Sequence, residues 1–183
     1  SRIRGDVFYN SQIEPASPYA KKGFDYLQFA LEECHKRGIE CHAWIVTFPV
    51  GSKKQVKSHG KSSVVNKKRS LCKFFNNEWY LDPGNPDTRK YLLGIVEEIV
   101  RNYDIDGIHF DYIRYPEKAS KFPDKDTFRK YGGGLSLDDW RRNNINEIVS
   151  ESYDLVKSLK PWLQVGSSPI GKYKDLGANG SSW

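Results

Sequence analysis

One stretch of the chain, residues 103–117, combines a strand pattern with side chains that can do chemistry. From Ile105 to Ile113 the residues alternate, with an apolar face (Ile108, Phe110, Tyr112) opposite a polar face (Gly107, His109, Asp111). A carboxylate and an imidazole on one face of a buried strand are expected to be paired, to bind a ligand or to react. Asp111 is therefore a candidate nucleophile or base, and His109 is either a hydrogen-bond donor to a ligand or a satisfied core histidine.

Two of the acidic residues of this stretch, Asp111 and Asp106, also have a structural interpretation. Asp111 is close enough in sequence to form an ion pair with Arg114, or it caps a turn. Asp106, at the opposite end of the strand, is expected to hold a turn by accepting hydrogen bonds from backbone amides. We therefore expect Asp111 to have the chemical role and Asp106 a structural one.

The elements that position this stretch alternate along the chain. Periodicity and capping residues predict helices from Asp25 to about Arg37, from Asn85 to Tyr103 and from 137 to about 159. Strands are expected at residues 39–48, 105–113 and 162–168, whereas residues 1–19, 49–84, 117–135 and 169–183 have the character of loops. The helix-to-strand links are short, and the strand-to-helix links are long and rich in polar and aromatic residues.

This order predicts parallel strands joined by helical crossovers. A (β/α)8 barrel builds its active-site face from the strand-to-helix loops, which agrees with the long links. A doubly wound open sheet is the alternative, but no glycine-rich phosphate-binding loop follows any strand. Because three predicted strands are not eight, the chain is interpreted as a partial barrel, roughly strands three to five, truncated at both ends, with residues 1–183 forming one fragment.

The charge, hydropathy and cysteine content of the chain limit the kinds of partner and site that it can have. The formal charge of +6 comes largely from one basic segment that we interpret as a solvated loop or the rim of a site for an anionic group: Lys53, Lys54, Lys57, Lys61, Lys67, Lys68 and Arg69. No nucleic-acid-binding module is recognisable, no apolar run reaches the roughly 20 residues of a membrane span, and no signal peptide is visible. The odd number and spacing of Cys34, Cys41 and Cys72 indicate buried thiols rather than a disulfide frame or a zinc site.

Four motifs resemble a known family, the bacterial glycosyl hydrolase-like family ten, a distant relative of the α-amylase barrels. They are DGIHFDYIRYP at 106–116, WYLDPGNP at 79–86, HAW at 42–44 and SPIG at 168–171. The resemblance runs over essentially the whole chain and implies a TIM barrel that acts on glycans, with peptidoglycan sugars as the substrate of members with an assigned activity. By that comparison the chain begins at the end of the second barrel strand and stops after the fifth.

The resemblance also implies a role for Asp111, which matches the acidic position where amylase-like barrels place their nucleophile. Those relatives place a general acid at the end of strand five, but here the segment 166–170 contains no carboxylate. Glycoside hydrolysis requires two carboxyl groups, one to protonate the leaving oxygen and one to attack or to activate water. Glu117, Glu14 and Asp82 are candidates for the second, although Asp82 is also expected in a turn that caps a helix.

Sugar rings bind to aromatic faces and to polar side chains at the edges of those faces. The aromatic candidates are Trp44, Trp79, Tyr80, Tyr112, Tyr115 and Trp140, of which Trp140 is the one most expected in the core. The substrate-binding set is predicted to be His109, Tyr112, Arg114, Trp44, His42, Asp82, Trp79 and Glu14, and the catalytic pair Asp111 and Glu117. No metal or other cofactor is expected.

The sequence thus predicts a glycoside hydrolase that acts on a bacterial polysaccharide, including peptidoglycan-derived glycan. The resemblance places it outside the cytoplasm, in the periplasm or cell envelope, and the fragment alone is expected to be inactive or feeble. A barrel that has lost its acid and only binds carbohydrate is one alternative. A metal-dependent hydrolase that uses His42, His109 and Asp111 is another, less favoured because no HxH or HxxE pair is present.

Overall fold

The computed structural model of the chain describes residues 1–168, and it contains a parallel sheet and a smaller antiparallel sheet. The strands are β1 (Arg2–Ile3), β2 (Asp6–Val7), β3 (His42–Val46), β4 (Pro49–Ser52), β5 (Cys72–Phe75), β6 (Glu78–Leu81), β7 (Gly107–Asp111) and β8 (Gln164–Ser167). The α-helices are α1 (Tyr26–His35), α2 (Lys53–His59), α3 (Val64–Lys67), α4 (Pro86–Asn102), α5 (Lys125–Tyr131) and α6 (Leu137–Leu159). Short 3-10 turns occupy Gly60–Ser62, Arg69–Leu71 and Ala119–Lys121.

The larger sheet has the strand order β2-β1-β3-β7-β8, and the neighbours β1, β3, β7 and β8 are parallel. Helices α1, α4 and α6 connect these four strands in sequence, as in the repeating unit of a (β/α)8 barrel. The described chain is therefore part of such a barrel, as the sequence predicts. Isoleucine, valine and leucine side chains of the strands and helices form one buried cluster between the two layers.

Local capping explains why the three crossover helices begin where the sequence predicts. The side chain of Asp25 accepts from Leu27 N and Gln28 N, that of Asn85 from Asp87 N, and that of Ser136 from Asp139 N. Gly38, with φ +66°, follows α1 in the left-handed conformation that commonly ends helices. None of the helices in residues 1–168 is long and apolar enough to cross a membrane.

The connection between β3 and α4, expected as a loop, contains ordered structure. β4, β6 and β5 form a three-stranded antiparallel sheet, and α2 begins with a capping box between Ser52 and Gln55. Val56, Val64 and Val65 are buried beneath it, and so this segment adds to the core. The basic residues of the segment stay exposed, but on short helices rather than on a solvated loop.

The first residues also differ from the expected loop. β1 adds to the parallel sheet beside β3, and β2 folds back on β1. Arg2 is fully buried: its Nη1 donates to the backbone carbonyls of Val46 and Thr47, and its guanidinium forms two hydrogen bonds of 2.8 and 2.9 Å to Glu14. The two Nη1 hydrogen bonds attach the start of the chain to the end of β3, and the ion pair attaches it to the segment around Glu14.

The cysteines are free thiols, but only one of them is fully buried as predicted. Cys72 is buried and burial raises its pKa to about 12, whereas Cys34 and Cys41 are half-buried. The buried one therefore stays protonated at neutral pH and packs as a small apolar side chain.

Candidate active site

The polar face of β7 and the matching faces of β3 and β8 form the inner surface of the partial barrel. Trp44, His109 and Gly166 lie at the same level in the strand register, and Val46 and Asp111 lie at the next level toward the strand ends. Because register partners in a parallel sheet point to the same side, the predicted chemical face of β7 is shared by three strands. Asp111 is the last residue of β7, at the end where barrel enzymes place their active sites.

Two glycines on this surface make room for imidazoles. A Cβ on Gly107 would lie 2.7 Å from Nδ1 of His42, and one on Gly166 would lie 3.0 Å from Nδ1 of His109. These distances are shorter than normal contacts, so a larger residue at either position would displace the ring. His109 also lies 2.6 Å, through Nε2, from Oγ of Ser168, which fixes the ring across the surface.

Asp111 is held by its backbone and by its own side chain. Its carbonyl oxygen accepts hydrogen bonds from the backbone N (2.8 Å) and Oγ1 (2.9 Å) of Thr47, and its Oδ1 accepts from the backbone N of Tyr112 (2.7 Å). Tyr112 has φ +50°, a left-handed conformation that is uncommon for a bulky residue and that clusters at functional sites. The turn after β7 therefore fixes the carboxylate while leaving Oδ2 without a hydrogen-bond donor among the described residues.

The alternative ion pair of Asp111 with Arg114 does not form in residues 1–168. The guanidinium of Arg114 instead lies 4.6 Å from the centre of the Tyr112 ring. Arg114 is thus held by a cation–π contact beside the strand end, where it can still donate hydrogen bonds to a ligand.

A cavity of about 170 Å³ lies immediately beyond Asp111 along the chain. Its lining includes Tyr112, Arg114 and the exposed Glu117, together with Asn76 and Tyr80 from the β5–β6 hairpin. Burial raises the pKa of Tyr80 to about 12, so this phenol is neutral and donates to Oε2 of Glu78. The structure therefore brings three predicted site residues, Tyr112, Arg114 and Glu117, into one cavity.

Glu14 and Asp82, the other predicted partners of Asp111, lie elsewhere. Glu14 is buried against Arg2 and also accepts from the Tyr91 hydroxyl (3.0 Å), on the helix-facing side of the sheet. Asp82 is completely buried, where it accepts from Gly84 N (3.1 Å) and Thr127 Oγ1 (2.5 Å), and this burial raises its pKa. Both carboxylates support the fold, and we remove both from the candidate site.

His42 is at the opposite end of the inner surface from Asp111. It pairs in register with Gly107, four residues before Asp111, which corresponds to about 13 Å along the strand. His42, His109 and Asp111 therefore do not converge, and residues 1–168 contain no group of three potential metal ligands. Asp106, at the same end as His42, accepts from Cys41 N (2.7 Å) and lies 2.9 Å from Nε2 of His35. Its role is structural, as expected, but it joins distant segments instead of holding a local turn.

The aromatic candidates separate into exposed and packed rings. Trp44 (40% exposed) and Tyr112 (42% exposed) are open to solvent at or next to the inner surface. Trp79 contacts Phe74 and the Arg69 guanidinium within the small sheet. Tyr115 is fully buried with its hydroxyl 3.1 Å from Asn144, and Trp140 is buried as predicted, which leaves neither available for stacking on a sugar.

Sequence reasoning missed two residues that shape the site, Thr47 and Asn76, and it identified Ser168 only as part of the SPIG motif. Asn76 and Asn77 both have positive φ and turn the chain between β5 and β6. An Asn-Asn pair between two aromatic runs is a hairpin signal that could have located this turn. The contacts of Thr47 with Asp111 and of Ser168 with His109 could not be inferred, because the bonded residues are 59 or more positions apart in sequence.

Comparison with known proteins gives relatives over nearly the whole chain. The chain is 33% identical over 181 residues to glycosyl hydrolase YngK of Bacillus subtilis, covering 93% of this chain and 36% of that protein. It is 36% identical over 164 residues to glycosyl hydrolase DigH of Escherichia coli, covering 84% of this chain and 37% of that protein. The chain thus spans little more than a third of the length of these relatives.

A solved structure supports the fold. An α-L-fucosidase isoenzyme from Paenibacillus thiaminolyticus matches 96% of this chain and 28% of its own, with a TM-score of 0.65 and 19% identity. The model of one family, described as glycosyl hydrolase-like 10, matches residues 2–182. The resemblance stated from the motifs is thereby confirmed, and the chain belongs to the glycosyl hydrolase-like 10 family.

Proposed function

We propose that this chain forms part of the active site of a glycoside hydrolase that acts on a bacterial polysaccharide, including peptidoglycan-derived glycan. One observation carries the proposal: Asp111 ends β7 on the open inner surface, with its backbone fixed and one carboxylate oxygen free of donors among residues 1–168. A carboxylate held in this way is oriented before substrate arrives, which lowers the cost of reaching the reactive geometry. Membership of a glycosyl hydrolase-like family supports this chemistry.

In this proposal Asp111 acts as nucleophile or base, and Glu117 protonates the leaving oxygen. Glu117 is exposed in the cavity beside Arg114 and Tyr112, so a sugar bound there can contact all three. Carboxyl groups about 5 Å apart retain the anomeric configuration, and those about 6.5 to 9.5 Å apart invert it. Arg114 and His109 donate hydrogen bonds to sugar hydroxyls, and Trp44 and Tyr112 offer ring faces for stacking.

The rest of a closed barrel is the alternative source of the second carboxylate. A (β/α)8 barrel has eight strands, and residues 1–168 supply four of its parallel strands. The proposed activity therefore belongs to the longest natural form of the protein that carries this chain. We also propose an extracytoplasmic location, because peptidoglycan lies outside the cytoplasm; fractionation of cells that express the protein would test this.

The role of Glu117 can be tested by substitution. Release of reducing sugar from peptidoglycan-derived glycan is expected to fall by about 10² to 10⁴ in Glu117→Gln, the range for loss of a general acid. Glu78→Gln is the matched control, because Glu78 is bonded to Arg4 and Tyr80 beside the same cavity. Equal activity of Glu117→Gln and the wild type would assign the proton donor to another part of the barrel.

A barrel that binds carbohydrate without hydrolysing it is the second candidate. It is favoured by the end of β8, where Gly166, Ser167 and Ser168 contain no carboxylate at the position expected for a general acid. Glycan binding by the wild type with no release of reducing sugar, measured on the same preparation, would support this candidate over the hydrolase.

A further inference from the structure

A groove lined by lysines lies between the segment 64–71 and the first half of α4. It consists of two adjoining cavities of about 410 and 390 Å³, which share Lys67, Lys68, Lys90 and Tyr91. We call these residues and their neighbours the lysine groove. Each cavity is large enough to take a sugar ring with substituents, since ligand sites typically begin near about 300 Å³.

The lysine groove combines apolar walls with a cationic rim. Ile13, Val64, Leu71 and Gly94 line its two cavities beside the Tyr91 ring, and Gln12 and Ser70 add neutral polar groups. Such a lining suits a ring that has an apolar face and polar edges. The three ammonium groups add a requirement for negative charge on the ligand.

The positive charge of the rim is only partly compensated. Lys90 lies 3.3 Å from Oδ1 of Asp87, but Lys67 and Lys68 have no carboxylate oxygen within 4.0 Å in residues 1–168. Neighbouring like charges repel each other, and a bound anion relieves that repulsion. The rim is therefore expected to bind anions more strongly than the basic residues of α2, which line neither of these two cavities.

The lysine groove is separate from the candidate active site. The Tyr91 hydroxyl donates to Glu14, which is buried against Arg2. Arg2 pairs in register with Ile45, whose side chain belongs to the buried, helix-facing side of the sheet. Asp111 and His109 lie on the other side, so a ligand in the groove does not enter the inner surface of the barrel.

We propose that the lysine groove is a second, non-catalytic binding site for an acidic saccharide, a sugar ring that carries a carboxylate or a phosphate group. The ring packs on Tyr91 and the apolar walls, and the acidic group lies between the ammonium groups of Lys67, Lys68 and Lys90. The site does not depend on the proposed hydrolase activity. Its function is to hold an anionic polymer on the outer flank of the barrel.

Binding of defined probes to this chain tests the proposal. Oligogalacturonate carries the carboxylate, glucose phosphate carries the phosphate, and a neutral oligosaccharide and inorganic phosphate test the contributions of charge and ring separately. Titration calorimetry would compare the wild type with the triple variant Lys67→Gln, Lys68→Gln and Lys90→Gln. The matched control is Lys54→Gln, Lys57→Gln and Lys61→Gln, which removes the same charge from exposed positions outside the groove.

We expect at least one acidic saccharide to bind more tightly than both the neutral oligosaccharide and inorganic phosphate. The groove variant should weaken that binding by about tenfold, equivalent to about 1.4 kcal/mol. The affinity of the control variant for the acidic saccharide should stay within about twofold of the wild-type value. Its three lysines lie outside the groove, so salt screens their attraction for a ligand bound there. The acidic saccharide that binds identifies the acidic group as carboxylate or phosphate. The proposal fails if neither acidic saccharide binds or if the neutral oligosaccharide binds equally well. It also fails if the groove variant and the control variant weaken binding equally.

Discussion

The backbone of Tyr112 is the residue-scale feature that sets the direction of the Asp111 carboxylate. Its N–H donates to Oδ1 of Asp111, its φ of +50° is left-handed, and its ring lies beside the guanidinium of Arg114. For an L-residue this conformation costs roughly 1–2 kcal/mol, a cost that glycine does not have. Backbone strain of this kind clusters at functional sites. At Tyr112 it lowers the stability of the folded chain and accompanies a fixed position of the neighbouring Asp111 carboxylate.

The strain at position 112 can be measured with two substitutions that both remove the ring. Tyr112→Gly is expected to be more stable than Tyr112→Ala by about 1 kcal/mol, because only alanine keeps the Cβ that crowds a left-handed backbone. Urea unfolding of both variants gives the difference directly. If alanine is equally stable or more stable, the turn is not strained in the folded protein.

At the scale of elements, the buried pair Arg2–Glu14 connects three segments. Arg2 donates to the carbonyls of the last residue of β3 and of the residue after it, and Glu14 accepts from the Tyr91 hydroxyl of α4. Burial alone would disfavour both charges, and so each depends on the other for compensation. The pair thus helps to hold the two-residue strand β1, which contains Arg2, against the rest of the sheet.

Breaking this pair on one side should be costly. Glu14→Gln leaves the Arg2 charge buried without its partner and is expected to lower the free energy of unfolding by about 3–5 kcal/mol. The double variant Arg2→Met, Glu14→Leu removes both charges and should recover much of that loss. Denaturant unfolding of the single and double variants checks this, and a double variant no more stable than Glu14→Gln would show that the ion pair is not the cause.

Asp106 links α1 to β3 and gives the fold an acid-sensitive contact. The backbone N–H of Cys41, and secondarily His35, hold the pKa of Asp106 below its usual value. The contribution of a carboxylate with a lowered folded-state pKa is fully present above its unfolded pKa of about 3.9 and is lost as pH falls through the lower folded value. The pH window of this effect therefore lies near and below about pH 4.

The corresponding measurement is the melting temperature as a function of pH. Asp106→Asn is expected to flatten the acid-side fall of the melting temperature below about pH 4, because the titrating group is gone. Asp104→Asn, two residues earlier and without these two hydrogen bonds, should keep the wild-type slope. Identical slopes in the wild type and Asp106→Asn would rule out this linkage.

At the scale of the whole molecule, the predictable parts are those set by local sequence. Helices α1, α4 and α6 begin and end close to the predicted residues, since caps and apolar periodicity act within a few residues. Strands β3, β7 and β8 were found by alternation and are shorter than predicted. By contrast, β1 and β2 are two residues each, too short to show any period.

In the candidate site, too, the features set by local sequence were predictable and those set by distant residues were not. Asp111 and His109 were placed on one face because alternation along a single strand decides it. The burial of Glu14 and Asp82 could not be read from the sequence, because their partners Tyr91 and Thr127 are 77 and 45 residues away. The small antiparallel sheet between β3 and α4 was hidden by a composition rich in lysine and serine. The SPIG motif extends past residue 168, outside the described residues.

The catalytic role of Asp111 is tested by comparing two aspartates at opposite ends of β7. In the longest natural form of the protein, Asp111→Asn is expected to lower the release of reducing sugar from peptidoglycan-derived glycan by at least about 10³-fold, with glycan binding and melting temperature preserved. Asp106→Asn, at the opposite end of the strand, should keep turnover close to that of the wild type. Undiminished turnover in a folded Asp111→Asn variant would contradict the assignment of Asp111 as a catalytic carboxylate.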